Sequence, residues 1–286
     1  MLDSRKNIKR SLPLTESPQS ISKLFVLPPN YQGTFTIAED LKAQIRNQHY
    51  AITQGNSFQL TKLGQSALSN LQKCWDSLEY DPFYGEQEPT SYRSRRYTEF
   101  DFNSHTGELN PRPHVPYLQS PEMNHYAGGK ARHFGDLSAD TYQNPLFQDL
   151  VNYNFTLFPV NPEFLDLVTH LGQSWICQVH IMRIVVGAEK TTSITPEGIH
   201  SDGYPFAGLH LINKVNVRGG ETTIYSYDEI PLAKTTFTQP LDSLWLEDRY
   251  LKHSVTDITS GDGDAGFRDI LAISFSLPNS IYAKRI

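Results

Sequence analysis

The sequence is poor in cysteine and has no long apolar segment, and each shortage excludes a class of protein. Its 286 residues contain only two cysteines, Cys74 and Cys177, far apart in the chain. A disulfide framework and a cysteine-based zinc site are therefore excluded, and a reducing compartment is expected. The longest apolar run, residues 181–188, is interrupted by Arg183 and is too short to span a bilayer.

A surplus of positive charge is also missing. The formal net charge is -6, which gives no general attraction to nucleic acid or to an anionic membrane surface, so neither is expected as a partner. The charged N-terminal residues are not followed by an apolar stretch, so a secretory signal is not expected. Since 38% of the residues are hydrophobic and 20% are charged, we predict a soluble globular protein, located in the cytoplasm.

The chain is predicted to consist of a mobile N-terminal arm, residues 1–22, and a single domain, residues 23–286. The arm is polar and lacks apolar periodicity, and no later segment is a convincing linker. Apolar residues at helical spacing predict helices over 37–49 and 64–78, and a proline in the first turn supports a third over 162–171.

The second half of the sequence has the pattern of short strands. Before it, residues 81–121 also look like strands joined by irregular loops. Turn residues at 217–220 and 261–266 separate runs rich in β-branched and aromatic side chains. The pattern predicts a mainly β fold, an antiparallel barrel or sandwich supported by mostly N-terminal helices. The runs lie at 175–186, 207–213, 222–227 and 269–277.

A metal site is predicted at His200 and Asp202, in the segment PEGIHSDGYPF. In extended backbone, residues two apart point to the same side, so this imidazole and this carboxylate can hold one ion. Alone the pair is weak, because 10 histidines and 31 acidic residues give about one such match by chance, and Asp-Gly also favours a surface turn. His253 follows several strands later and could complete two histidines and one carboxylate, a ligand set typical of non-haem iron(II).

The last predicted strand carries an arginine on its less bulky face. Strand alternation puts Arg268, Ile270, Ala272 and Ser274 on one face, which leaves room inside a barrel. A guanidinium there suits two-point binding of a carboxylate, whereas an isolated arginine would more simply pair with a nearby aspartate. The bulkier opposite face is predicted to pack against neighbouring structure; it consists of Asp269, Leu271, Ile273 and Phe275.

Residues 90–277 resemble the 2-oxoglutarate/iron dioxygenases that act on free amino acids, the isoleucine dioxygenase-like group. The resemblance covers about two-thirds of the chain, and its motifs occur in the family's order. They are YRSRRY (92–97), the spaced set Asn124, Gly128, Gly129, Arg132 and Phe134, PEGIHSDG (196–203), LINKVNVRGGE (211–221), His253 and GFRDILAISF (266–275).

This resemblance implies a double-stranded β-helix, or jelly-roll, core over roughly 90–286. It implies that His200, Asp202 and His253 bind Fe(II) and that Arg268 binds the cosubstrate 2-oxoglutarate. O2 would be the second cosubstrate. The implied reaction oxidises an unactivated C–H bond by hydroxylation, desaturation or ring closure, with succinate and CO2 as coproducts.

An amino acid substrate needs a cation for its carboxylate, and five arginines are candidates. Arg183 points either into the barrel or into a buried ion pair, because a charge among apolar neighbours needs a partner. Tyr126 and Tyr204 could line the pocket. The arginines are Arg93, Arg95, Arg96, Arg132 and Arg183.

The other histidines are less suited to metal binding. His210 is predicted to be a hydrogen-bonded histidine of the barrel wall, and His125, His133 and His180 could lie around the metal ligands. Two other functions stay open. The same iron chemistry could act on a macromolecule, as a hydroxylase or demethylase, or the chain could be a catalytically silent jelly-roll binding protein.

Overall fold

The computed structural model describes residues 33–84, 92–160, 174–188 and 190–285. The predicted arm, 1–22, and the predicted helix over 162–171 lie outside these ranges, so the division into arm and domain stays a prediction. None of the described helices is long and apolar enough to cross a membrane. These helices are α1 (Leu41–Gln48), α2 (Lys62–Lys73), α3 (Ala139–Tyr142) and α4 (Pro145–Leu157).

The strands within the described ranges confirm a mainly β fold. All strand pairings between them are antiparallel. The strands are β1 (Phe35–Ile37), β2 (Tyr50–Thr53), β3 (Phe58–Leu60), β4 (Glu79–Tyr80), β5 (Arg93–Phe102), β6 (Leu109–Pro111), β7 (Trp175–Val186), β8 (Thr191–Thr192), β9 (Phe206–Val215), β10 (Val217–Gly219), β11 (Glu221–Ser226), β12 (Pro231–Thr236), β13 (Ser243–Leu246), β14 (Leu251–Val255), β15 (Ile258–Ser260) and β16 (Gly266–Ser276).

The strands of the described ranges form one large sheet, two three-stranded sheets and the two-stranded sheet β1-β3, and the jelly-roll prediction is confirmed. The large sheet has the order β2-β13-β9-β16-β7-β5-β4, with β6 paired to β5. The three-stranded sheets have the orders β12-β11-β14 and β10-β15-β8. Side chains from β5, β7, β9 and β16 meet side chains from β11 and β14 around one cavity, so the cavity lies between the large sheet and the small sheet β12-β11-β14.

Strand β16 has the two faces that its sequence predicts. Arg268, Ile270, Ala272 and Ser274 line the cavity. The opposite face is fully buried: Asp269 pairs with Arg183, and the other three side chains belong to the main apolar core, which the helices cover. The residues of this core include Leu41 and Ile45 of α1, Leu71 of α2, Phe147, Leu150 and Phe155 of α4, and Leu271, Ile273 and Phe275 of β16.

Buried polar contacts fix the helices on the large sheet. On α4, Asn154 accepts a hydrogen bond from Trp245 Nε1 at 2.7 Å, and its amide nitrogen lies 3.0 Å from His210 Nε2. The other ring nitrogen of His210 lies 2.8 Å from Ser243 Oγ, so the predicted hydrogen-bonded barrel histidine is confirmed. After α2, Trp75 Nε1 donates to the carbonyl oxygen of Met182 at 3.0 Å.

Several predicted boundaries need correction. The helix predicted over 37–49 begins at Leu41, because Asp40 caps it by accepting from Ala43 N, and β1 takes up residues 35–37. The helix predicted over 64–78 runs as α2 from Lys62 and ends in a 3-10 turn, Cys74–Ser77.

Helix α4 was missed altogether, although Asn144 and Pro145 are favourable residues for a helix start. Of the turn predicted at 217–220, Val217–Gly219 form strand β10, which follows a bend at Asn216; Gly219 and Gly220, whose φ angles are 79° and 74°, then lead into β11. The turn predicted at 261–266 is confirmed, since it joins β15 to β16.

Candidate metal centre and substrate cavity

Two backbone hydrogen bonds bring His200 beside His253. His200 N donates to the carbonyl oxygen of His253 at 3.0 Å, and His253 N donates to that of His200 at 2.8 Å. This isolated antiparallel bridge joins the loop that carries His200 to β14, and the two ring centroids lie 4.4 Å apart. Both imidazoles are buried at the cavity wall.

Asp202 completes a cluster that could hold a metal ion. Its Oδ1 lies 3.7 Å from His200 Nε2 and its Oδ2 lies 3.9 Å from His253 Nε2. One ligand atom from each of the three residues lies within 4.8 Å of the other two. This spacing suits several donors around one small cation, and one carboxylate with two imidazoles is the donor set that non-haem iron(II) takes in oxygenases. The residues present therefore fit an iron(II) ion.

Each histidine has its Nε2 atom on the side of the Asp202 carboxylate. His200 Nδ1 lies 3.0 Å from the carbonyl oxygen of Gly198, which can only accept, so Nδ1 carries the proton and Nε2 is free to ligate. Burial and the neighbouring His200 lower the pKa of His253 to about 4, so its ring is neutral at physiological pH. Burial opposes protonation of His200 as well, but the charges of Asp202 and Glu197 outweigh it and raise the pKa of that ring.

A fully buried carboxylate, Asp248, holds the loop around Asp202. Its oxygens accept from Ser201 Oγ at 2.7 Å, from Gly203 N at 2.9 Å and from Asp202 N at 3.2 Å. Burial and the charge of Asp202 raise the pKa of Asp248 to about 7. Arg285 reinforces the same loop, because its Nη2 donates to Ser201 Oγ at 3.1 Å.

Arg268 lines the cavity with an unpartnered guanidinium. It is 4% exposed, and no carboxylate or carbonyl oxygen of the described residues accepts a hydrogen bond from it. Its cationic group lies 5.6 Å from the ring centre of Phe237. Burial lowers the pKa of Arg268 to about 10, so it stays charged at neutral pH. A buried charge without a partner is costly, and a carboxylate ligand would supply the partner.

A second buried guanidinium, that of Arg132, lies in another part of the cavity wall. It is 0% exposed, its Nη2 donates to Gln119 Oε1 at 2.6 Å, and its Nε and Nη1 have no hydrogen-bond partner among the described residues. Its cationic group lies 4.5 Å from the ring centre of Tyr117. Gln119 also donates to the carbonyl oxygen of Asp202 at 3.3 Å, so one side chain links this arginine to the candidate metal centre.

His180 lies beside this second guanidinium. Burial and the charges of Arg95 and Arg132 lower the pKa of His180 well below its usual value. Its ring stacks on Tyr97 at 4.4 Å. The ring is therefore neutral and faces the cavity, as part of its wall rather than as a metal ligand.

Two of the five candidate arginines face away from the cavity. Arg183 makes a two-point ion pair with Asp269 and also pairs with Asp76, so the ion-pair alternative applies and its candidacy as a substrate residue is wrong. Arg96 lies on the outer face of β5, where it pairs with Glu79. Strand alternation explains this, since the neighbouring Arg93 and Arg95 point inward.

Some of the aromatic and histidine candidates line the cavity, and others do not. Tyr204 is buried in the cavity wall, whereas Tyr126 is half-buried and does not line the cavity. His125 and His133 are exposed, so neither contributes to the wall.

Three residues of the site, Asp248, Gln119 and Glu197, were not predicted from the sequence. Asp248 and Gln119 lie in irregular segments without a periodic pattern, so only the folded chain brings them to the site. Glu197 lies within the PEGIHSDG motif, which did carry a signal.

The chain belongs to the 2OG-Fe dioxygenase family, whose model matches residues 72–274, more than half of the chain. The members of this family use Fe(II), 2-oxoglutarate and O2, in agreement with the three donors and the unpartnered Arg268 of the cavity. A relative among characterised proteins is L-isoleucine-4-hydroxylase of Bacillus thuringiensis, 30% identical over 161 residues. That match covers 56% of this chain and 65% of the relative, so it spans less than two thirds of the relative's length.

Solved structures share the fold. IDO from Bacillus thuringiensis superposes with a TM-score of 0.66 at 20% identity, covering 84% of this chain and 95% of that one. A homologue of bsmA from Methylobium petroleophilum gives a TM-score of 0.67 at 24% identity, covering 83% and 92%. At these identities the similarity shows a common fold alone.

We expect Asp248→Ala to loosen the loop that carries Asp202. Three donors, two of them in fully buried hydrogen bonds, lose their acceptor, so the free energy of unfolding should fall by about 2–4 kcal/mol, and the amides of Asp202 and Gly203 should exchange faster with solvent. Denaturant titration and hydrogen exchange measure the two effects. The exposed Asp257→Ala should change neither; unchanged exchange of both amides in Asp248→Ala would contradict the anchoring role.

Proposed function

We propose that this protein is an Fe(II)/2-oxoglutarate dioxygenase that oxidises an unactivated C–H bond of a small free amino acid or a close derivative. Iron(II) bound with 2-oxoglutarate and O2 supplies that oxidation, and succinate and CO2 are the coproducts. The observation that carries the proposal is the buried, unpartnered guanidinium of Arg268 in the same cavity as the cluster His200, Asp202 and His253.

The metal would be held by His200 Nε2, His253 Nε2 and a carboxylate oxygen of Asp202. Family membership supports iron as the metal. Hydrogen bonds from neighbouring groups orient two of the ligands. The carbonyl oxygen of Gly198 orients His200, and Asp248 holds the backbone of Asp202. Such outer contacts fix ligand orientation before the metal arrives.

Arg268 would bind the carboxylate of 2-oxoglutarate that is remote from the metal. Its planar guanidinium can donate two parallel hydrogen bonds to one carboxylate, and burial strengthens them. Because no described residue neutralises this charge, binding of the dianion would do so.

Arg132 is the favoured partner for the substrate's own carboxylate. It is fully buried and still has unsatisfied donors, unlike Arg183 and Arg96, which are engaged on the outer face. The hydroxylation of isoleucine by the Bacillus thuringiensis relative supports an aliphatic amino acid. Apolar side chains in the cavity wall suit the aliphatic part; they include Met182, Ala207, Leu209, Ile270 and Ala272.

The metal assignment predicts a spectroscopic result. Anaerobic addition of iron(II) and 2-oxoglutarate should give a weak visible charge-transfer band, which His200→Ala and Asp202→Ala should abolish because each removes a ligand. The exposed His125→Ala serves as the matched control and should keep the band. A band of normal intensity in both ligand variants would refute the assignment.

The role of Arg268 predicts a change in the cosubstrate requirement. Loss of a buried charge-assisted pair costs about 2–5 kcal/mol, so Arg268→Ala should raise the KM for 2-oxoglutarate by about 30-fold or more. Steady-state succinate formation measures this. Arg218→Ala, an exposed arginine, should leave the KM unchanged; the same KM in Arg268→Ala would assign the residue another role.

A succinate-release screen over free L-amino acids, with mass detection of the products, tests the function itself. We expect an aliphatic amino acid to stimulate succinate release above the uncoupled rate. A product one oxygen heavier would indicate hydroxylation, and one two hydrogens lighter desaturation or ring closure. Uncoupled turnover without stimulation by any amino acid would favour a macromolecular target, and no turnover with intact 2-oxoglutarate binding would favour a silent binding protein.

A further inference from the structure

Glu197 is a buried acid in the cavity that none of the roles above uses. It is 8% exposed, and its Oε2 has no hydrogen-bond partner among the described residues. No lysine or arginine nitrogen in the described ranges lies within 4 Å of it; the one basic nitrogen this near is His200 Nε2, 3.7 Å from Oε1. Glu197 therefore faces the cavity as a carboxylate without a permanent cation.

The position of Glu197 is fixed by a turn that is fastened to β14. Gly198 N donates to the carbonyl oxygen of Thr195 at 2.8 Å and closes the turn. Thr195 Oγ1 then bonds to both backbone groups of Val255, accepting from its N at 3.0 Å and donating to its O at 3.1 Å. Val255 is two residues beyond His253, so the backbone of the turn that carries Glu197 is fastened close to the candidate metal centre.

A buried carboxylate needs a cation or hydrogen-bond donors. 2-Oxoglutarate cannot provide the cation, because it is a dianion and would be repelled. A role for Glu197 as a fourth metal ligand is less suitable, since the cluster of mutually close donor atoms consists of His200, Asp202 and His253 without it. The remaining source of positive charge is the substrate.

We propose that Glu197 accepts the ammonium group of the substrate, while Arg132 holds its carboxylate. Two buried charges of opposite sign in one cavity wall match the two ends of an amino acid zwitterion. Glu197 would then select substrates that carry a free amine and reject N-acylated or des-amino analogues. This inference rests on the proposed function and adds to it the residue that recognises the amine.

Glu197→Gln tests the inference, because it keeps the shape of the side chain and removes its charge. Isothermal titration of the Mn(II)- and 2-oxoglutarate-loaded protein compares the amino acid that stimulates turnover most with its des-amino carboxylic acid. We expect the variant to bind the amino acid about 30-fold more weakly or worse and the des-amino acid as the wild type does. Glu108 is an exposed glutamate, so Glu108→Gln is the matched control.

Two results would overturn the inference. The first is equal weakening of the amino acid and its des-amino analogue. The second is a loss of Mn(II) affinity in Glu197→Gln, because the acid would then serve the metal. Thermal unfolding with and without Mn(II) separates this second result from simple misfolding.

Binding to the wild-type protein shows whether the proposed function itself is wrong, separately from the role of Glu197. If no amino acid binds the wild-type protein, that function is wrong, and the same titration is made with simple alkylamines and alkyl carboxylates. An alkylamine that binds the wild type but not Glu197→Gln would sustain the role of Glu197 in amine recognition. If no alkylamine binds the wild-type protein more tightly than Glu197→Gln, the proposed role of Glu197 is wrong.

Discussion

The pair of backbone hydrogen bonds between His200 and His253 is the contact on which the candidate metal centre depends. It joins a loop to β14. The two imidazoles belong to segments that are distant in sequence, and this bridge places them side by side. The adjoining contacts extend this bridge: Thr195 binds both backbone groups of Val255, and Asp248 binds the backbone of Asp202 and Gly203. The donors are thus positioned by the protein alone, before any metal binds.

Burial of unpaired charge is the second constraint on this cavity. Arg268 and Arg132 are buried guanidiniums with unsatisfied donors, and Glu197 is a buried carboxylate with an unsatisfied acceptor. Such groups destabilise a fold, because desolvation of each charge is not offset by a partner. Ligands of opposite charge would offset it, so in our account the protein gives up stability and gains tight, selective binding of a dianion and a zwitterion.

The regular parts of this arrangement could be predicted from the sequence. Alternation along β16 assigned Arg268 to the cavity and Leu271 to the core, because a strand buried on both faces obeys a period of two. The same rule left Arg183 undecided, since its partners Asp269 and Asp76 come from a neighbouring strand and from the turn after α2. Parity gives the face of a side chain but not its partner.

Contacts between irregular segments could not be predicted in this way. Asp248 and Gln119 lie in loops and reach the backbone of Asp202 only in the folded chain. The position of Glu197 is set by a turn that is bonded to the distant strand β14. Helix α4 was missed because buried polar residues interrupt its apolar pattern: Asp149 accepts from Thr34, and Asn154 bonds to Trp245. These polar residues are satisfied only by tertiary contacts.

A crystal structure of the protein grown anaerobically with Mn(II) and 2-oxoglutarate tests the central claim most directly. Our account predicts the metal on His200, Asp202 and His253, and the remote carboxylate of 2-oxoglutarate on the guanidinium of Arg268. Metal bound by a different set of residues, or 2-oxoglutarate bound without contact to Arg268, would contradict it.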